Sequence, residues 1–301
     1  MKILNRNSII LKIFIMTLFL LVMVTTSKLV FKYGTIIDNL QSIQIEDINF
    51  PYDLHNPSNK FKLPHELDEI SGLSYLRQNE LVCIQDEKEA VYVFDIAKEK
   101  IINACKYGKS GDCEDVAVVK NTIYVLESNG HIYEIEKFEK KNHRVKRYKA
   151  LVLSKENNTE GLAFDEGSYS LLITCKGSQE IEEQDVNLRG KKAIYRFDLN
   201  TKKISPKPAY AINVKNMGGG TFQPSGIAVH PITRQIYMIS SVDKTLLALN
   251  QQGKIIAVEK LNRKIFKQPE GICFNSHGDL FISNESRDDG KANILEFKYK
   301  Q

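Results

Sequence analysis

The chain has 301 residues, 42% of them hydrophobic and 26% charged, a balance that excludes disorder over most of its length. Five cysteines, an odd number, and no tryptophan exclude a disulfide-framework protein. The net charge of +5 sits entirely in residues 1–33, where Lys2, Arg6, Lys12, Lys28 and Lys32 meet no acid; the rest is neutral, which removes the electrostatic case for nucleic acid.

The first element is an apolar helix. Lys2, Arg6 and Lys12 precede the uncharged run Ile13 to Val24, the pattern of an export signal. Counted from Ile9 to Val30 the run is long enough to span a bilayer, with Lys12 and Lys28 snorkelling at its ends. We expect residues 1–33 to be an uncleaved single-pass membrane anchor. The basic flank then stays in the cytoplasm and the main domain lies outside it. A cleaved signal, giving a secreted or periplasmic protein, is the alternative; only Thr25-Thr26-Ser27 follows the run, and no nearby cysteine offers a lipid anchor. A helix buried in the globular fold fits less well, because the run is apolar all round. Residues 34–41 read as a linker and 42–49 as a strand.

The body of the chain repeats. Five phrases align, starting at Ser71, Glu114, Glu160, Ser225 and Glu270. Their second column is Gly in four copies. The third is aliphatic (Leu73, Val116, Leu162, Ile227, Ile272) and the fourth small (Ser74, Ala117, Ala163, Ala228, Cys273). Second strands follow at Leu81, Ile123, Leu171, Ile236 and Leu280, and third strands at Val91, Ile132, Ile194, Leu246 and Ile294. Fourth strands are expected at 100–106, 145–153, 209–214 and 254–261. Four short strands per repeat make a β-propeller blade. Small residues would let inner strands approach the axis, and the aliphatic column would fill the space between blades. The fifth copy has room for only three strands, so 42–49 is expected to pair with 294–298 and close the ring. The expectation is an all-β, five-bladed propeller over 42–301. Six blades are the alternative, since the long third repeat could hide one; its polar stretch 177–192 reads better as an insertion. A β-sandwich leaves the columns unexplained.

The order Ser71, Glu114, Glu160, Ser225, Glu270, within EISGL (69–73), TEGLAF (159–164), PSGIAV (224–229) and PEGICF (269–274), resembles the SdiA-regulated (YjiK-like) family. The resemblance covers roughly 65–301 and implies a membrane-tethered or exported propeller without fixing an activity. A looser likeness extends to calcium-dependent propeller hydrolases such as phytases, lactonases and strictosidine-synthase-like proteins, and is one of architecture.

Alternate residues of a strand share a face, so the residues two before each phrase (Glu69, Asp112, Asn158, Gln223, Gln268) should join its first column at the channel mouth. Glu69, Asp112, Glu114, Glu160 and Glu270 are candidate metal ligands, because five converging carboxylates demand relief by protons or cations and an oxygen-only set suits Ca²⁺ or Mg²⁺. Ser71, Asp86, Glu127, Ser225, Asn284 and Glu285 are candidate ligand contacts, with Lys176 as a lone cation. A plainer reading has the glutamates capping backbone N–H groups and holding the blades in register.

Other chemistry is not supported. The histidines form no H-x-H or H-E-x-x-H, and His230 and His277 read as turn residues. No G-x-S-x-G is present, and Gly108-Lys109-Ser110 lacks the leading glycine of a phosphate loop. Cys83, Cys175 and Cys273 read as core residues, whereas Cys105 and Cys113 could pair if the protein is exported. Asn157-Asn158-Thr159 is a short glycosylation match, and the basic stretch 137–149 reads as a solvated hairpin with an anionic surface contact as its alternative. The expected protein is a monomeric envelope propeller that binds a small ligand, divalent cation or protein partner at an acidic channel mouth. A metal-dependent hydrolase of a phosphoester, ester or lactone, with Glu160 or Glu270 activating water, is the alternative, and a docking scaffold a third.

Overall fold

The computed structural model describes residues 50–108, 111–177, 191–214, 222–287 and 290–300. These fold into five antiparallel sheets. The first blade runs Ile70–Arg77, Glu80–Gln85, Ala90–Asp95 and Lys100–Lys106, and the second Cys113–Val119, Thr122–Glu127, Ile132–Glu136 and Arg144–Tyr148. The third has Thr159–Asp165, Ser170–Cys175 and Lys191–Asp198, with Lys203–Ile204 and Tyr210–Asn213 both pairing with its third strand. The fourth comprises Gly226–Val229, Ile236–Ser240, Thr245–Leu249 and Ile255–Lys260. Pro269–Phe274, Leu280–Asn284 and Asn293–Phe297 supply three strands of the fifth. The first strand of each blade contacts that of the next in cyclic order, so the five form the inner wall of a ring. The protein is a five-bladed β-propeller. The length of the third repeat does not make a sixth blade.

The alternation of apolar residues builds the cores. In the second strand of the first blade, Leu81 and Cys83 face the fifth blade while Val82 and Ile84 face the second. Such strands are buried on both faces and read as continuous apolar runs. Five hydrophobic clusters result, one in each gap between neighbours. Each aliphatic third-column residue packs toward the preceding blade: Val116 joins the first-blade cluster and Ile272 the fourth. Each small fourth-column residue from Ala117 to Cys273 packs toward the following one. The hairpins that join inner to second strands each carry one residue of positive φ, at Asn79, Lys120, Tyr169, Arg234 and Gly278.

The second-column glycines are set by close approach. A Cβ on Gly72 would sit 2.7 Å from Asp115 Cα, on Gly226 2.5 Å from Glu270 O, and on Gly271 2.8 Å from Leu73 N. The exception in the column is Asp115, fully buried, which spans its gap with a carboxylate: Oδ2 accepts the Leu162 N–H of the third blade at 2.7 Å, and Oδ1 accepts its neighbour Val116 N–H at 2.8 Å.

The ring closes with Asn59–Lys62, which pairs with Asn293–Glu296 as the outer strand of the fifth blade. This is the place the sequence reading gave to 42–49, a segment outside the described residues together with the expected anchor at 1–33 and linker at 34–41. An outer strand needs little apolar character, and Phe61 is the only apolar residue of the four. Among the described residues no helix is long and apolar enough to cross a membrane.

Candidate functional site

The first column of the repeat sits at a recurring irregularity. The ladder between first and second strands slips at Ser71, Glu114, Glu160 and Glu270-Gly271. A bulge leaves one residue out of the pairing and re-aims its side chain. The first-column residue is therefore freed from strict alternation in four blades.

Seven carboxylates then bear on one another. Glu114 feels Glu160, Asp112 and Glu270. Glu270 feels Glu285 and Glu160, Glu285 feels Asp86 and Glu69, and Asp86 feels Asp112, which closes a circuit. Glu160 Oε1 accepts the Asn158 amide at 2.6 Å and pairs with Lys176 Nζ at 3.2 Å. The Gln268 amide donates to Glu285.

Burial is the first cause that raises the carboxyl pKa values, and neighbouring charge the second. Glu114 and Glu160 are both raised by burial; the Glu160 charge adds to the rise of Glu114, and Lys176 opposes it at both. Glu270 is pushed up to about 7 by burial, then by Glu285 and Glu160. Glu69, Asp86 and Glu285 also rise, burial first. Burial opposes the charge on Lys176, but Glu160, Glu270 and Glu114 outweigh it and raise its pKa.

The structure thus groups Glu69, Asp86, Asp112, Glu114, Glu160, Glu270 and Glu285. Four other candidates have partners within the fold. Ser71 Oγ donates to Cys113 O and Ser225 Oγ to Pro269 O, each at 2.9 Å, so these hydroxyls stitch one blade to the next. Glu127 is buried against Arg147 at 2.6 Å and accepts the Tyr133 hydroxyl. Asn284 donates to Asn293 Oδ1 within its own blade. No group of three or more His, Cys, Asp or Glu among the described residues is arranged to hold a metal ion.

Sequence reasoning missed two lysines. Lys192 Nζ donates to Lys176 O at 2.7 Å, and Lys244 Nζ donates to Ser241 O at 2.6 Å while its charge bears on Glu270. Both lie at the starts of third strands, outside the repeated first-strand columns. Asp115 was visible only as the break in the glycine column.

At the other end of the inner strands the small column lines an opening of about 170 Å³, with Tyr75, Phe164 and Phe274 beside it. His230 is a turn and core residue: its Nδ1 accepts the N–H groups of Ile232 and Thr233, and burial pushes its pKa down to about 4. All five cysteines are free and buried, so the Cys105–Cys113 pair is not formed; Cys113 Sγ instead lies 2.9 Å from the Tyr107 hydroxyl. Asn157 of the glycosylation match is buried. The stretch 137–149 carries the exposed outer strand of the second blade, where Arg144 pairs with Glu136.

Fold and geometry define a five-bladed propeller with a group of neighbouring carboxylates contributed by several blades. The chain belongs to the SdiA-regulated family, whose model matches residues 57–287. Among solved structures it is similar to glutaminyl cyclase of Myxococcus xanthus, at 12% identity and a TM-score of 0.56, over 81% of this chain and 96% of that one. It is also similar to the PQQ-bound aldose sugar dehydrogenase of Streptomyces coelicolor, at 12% identity and a TM-score of 0.50, over 81% and 97% of the two chains. At such identities the likeness is one of fold. No curated protein matches the chain by sequence.

Proposed function

We propose that the protein is a cell-envelope binding module whose acidic mouth takes up a small cation. The observation that carries this reading is the circuit of neighbouring carboxylates from different blades, with Lys176 paired to Glu160 and close to Glu114 and Glu270. Like charges held together favour any ligand that brings positive charge. An organic ammonium fits better than Ca²⁺, because the carboxylates are spread around the mouth and no three converge on one point. The envelope location rests on the basic and apolar pattern of residues 1–33.

Calorimetric titration with putrescine, spermidine, CaCl₂ and MgCl₂ tests this. Uptake of a polyamine near pH 7 is expected to release protons, which shows as a dependence of the measured heat on buffer ionisation. Glu160→Gln and Glu270→Gln should weaken it while the fold is kept. Absence of uptake of all four probes at millimolar concentration overturns the proposal.

A hydrolase is the second reading, favoured by Glu270, whose pKa of about 7 suits proton transfer at neutral pH. Turnover on a phosphatase and lactonase panel with Ca²⁺, lost in Glu270→Gln, would promote it; a blank panel would demote it.

A further inference from the structure

The inner strands run from the acidic mouth to the hairpins at the opposite end. There, between the fifth and first blades, lies a cavity of about 550 Å³. Its floor is apolar, made by Leu81 and Phe281, both almost fully buried, with Ile96 beside them.

The charged groups of its walls are already partnered. Lys298 Nζ donates to Glu296 Oε1 at 2.6 Å and to Asp279 Oδ2 at 3.0 Å, and Asp279 also accepts the Asn275 amide and the Tyr299 N–H. Glu80 pairs with Arg77 at 2.8 Å. Among the described residues, five polar side chains at the same cavity make no side-chain hydrogen bond: Tyr75, Gln78, Asn79, Ser276 and His277. They offer hydroxyl, amide and imidazole groups, each able to donate and accept.

An apolar floor with a few uncommitted polar groups is the usual make-up of a small-molecule pocket. Carboxylates outnumber cations on its walls, which disfavours an anion. The existing ion pairs leave little for a cation to gain. A ligand with many hydroxyls and one C–H face matches both surfaces. We propose that this fissure is a second binding site, for a neutral saccharide or polyol of one to two rings, separate from the acidic mouth.

The test uses the full chain on an array of mono- to tetrasaccharides, followed by calorimetry on any sugar retained. Gln78→Ala and His277→Ala remove exposed side chains that hold no internal bond, so the melting temperature should not move. Each should weaken sugar binding by about three- to ten-fold, the loss of one hydrogen bond to a neutral partner, and the double variant by more. Glu160→Gln, at the far end, should leave sugar affinity unchanged. The proposal is overturned if no sugar is retained, if the double variant binds as the parent does, or if Glu160→Gln weakens binding as much.

Discussion

Replacing Asp115 with alanine is expected to loosen three blades at once. Its carboxylate accepts Val116 N–H and Leu162 N–H, and a backbone bond from Leu73 of the first blade also reaches it. Alanine strands these donors in a site with no solvent access. A buried donor left unpaired costs about 1–3 kcal/mol. Three such donors would sum to several kcal/mol. Against this stands the burial cost of the carboxyl itself, which raises its pKa well above the usual range and which alanine removes. A net loss of about 2–4 kcal/mol remains, on the basis of these same magnitudes. Asp115→Asn keeps one acceptor but turns an amide toward the other N–H groups, so it should lose about 1–3 kcal/mol by the same reasoning. Equilibrium urea unfolding followed by tyrosine fluorescence and far-ultraviolet circular dichroism measures both. If Asp115→Ala unfolds within about 0.5 kcal/mol of the parent, a change typical of an ordinary surface site, the inter-blade clasp is refuted.

Three more outcomes are expected. Glu270 has a folded pKa of about 7, above its unfolded value, so its stability contribution is full below about pH 4.3 and declines as pH rises through 7. Glu270→Gln should therefore stabilise the fold by about 2–3 kcal/mol at pH 8 and very little at pH 4, as urea midpoints at the two pH values would show. His230 behaves oppositely: with a folded pKa of about 4, it favours the fold above about pH 6.5 and withdraws that support as pH falls toward 4. His230→Leu should flatten that part of the acid limb. Deleting residues up to 62 removes the outer strand of the fifth blade, exposes the edge of Asn293–Phe297 and takes away Tyr52 and Leu54 from the core. Loss of a single cooperative unfolding transition, or aggregation, is expected in thermal melts; unchanged melting would count against this closure.

The architecture was readable because radial packing imposes the same demand in each blade. Aliphatic Leu73 and its equivalents fill one gap, small Ser74 and its equivalents the next, and a column of glycines marks where backbones nearly touch. The closing strand was misplaced because Asn59–Lys62, at an exposed edge, needs no apolar signature, whereas 42–49 alternates more convincingly. The mouth was readable in part. Glu114, Glu160 and Glu270 stood out by their shared column, but the bulge at which they sit leaves no mark in residue type. Ser71 and Ser225 share the column yet donate across to the next blade, because a short hydroxyl reaches the adjacent carbonyl. Glu127 could not be separated from the mouth set without knowing that Arg147 faces it from the outer strand. Lys192 and Lys244 were hidden for a similar reason, since long side chains carry their charge away from their place in the chain.

The mouth is tested most directly by carboxyl ¹³C NMR titration of the parent and of Lys176→Met. The account requires Glu114, Glu160 and Glu270 to titrate together above the ordinary glutamate value of about 4.3, and to move higher still once the neighbouring ammonium is gone. Independent titration at or below that value, unmoved by Lys176→Met, would contradict it.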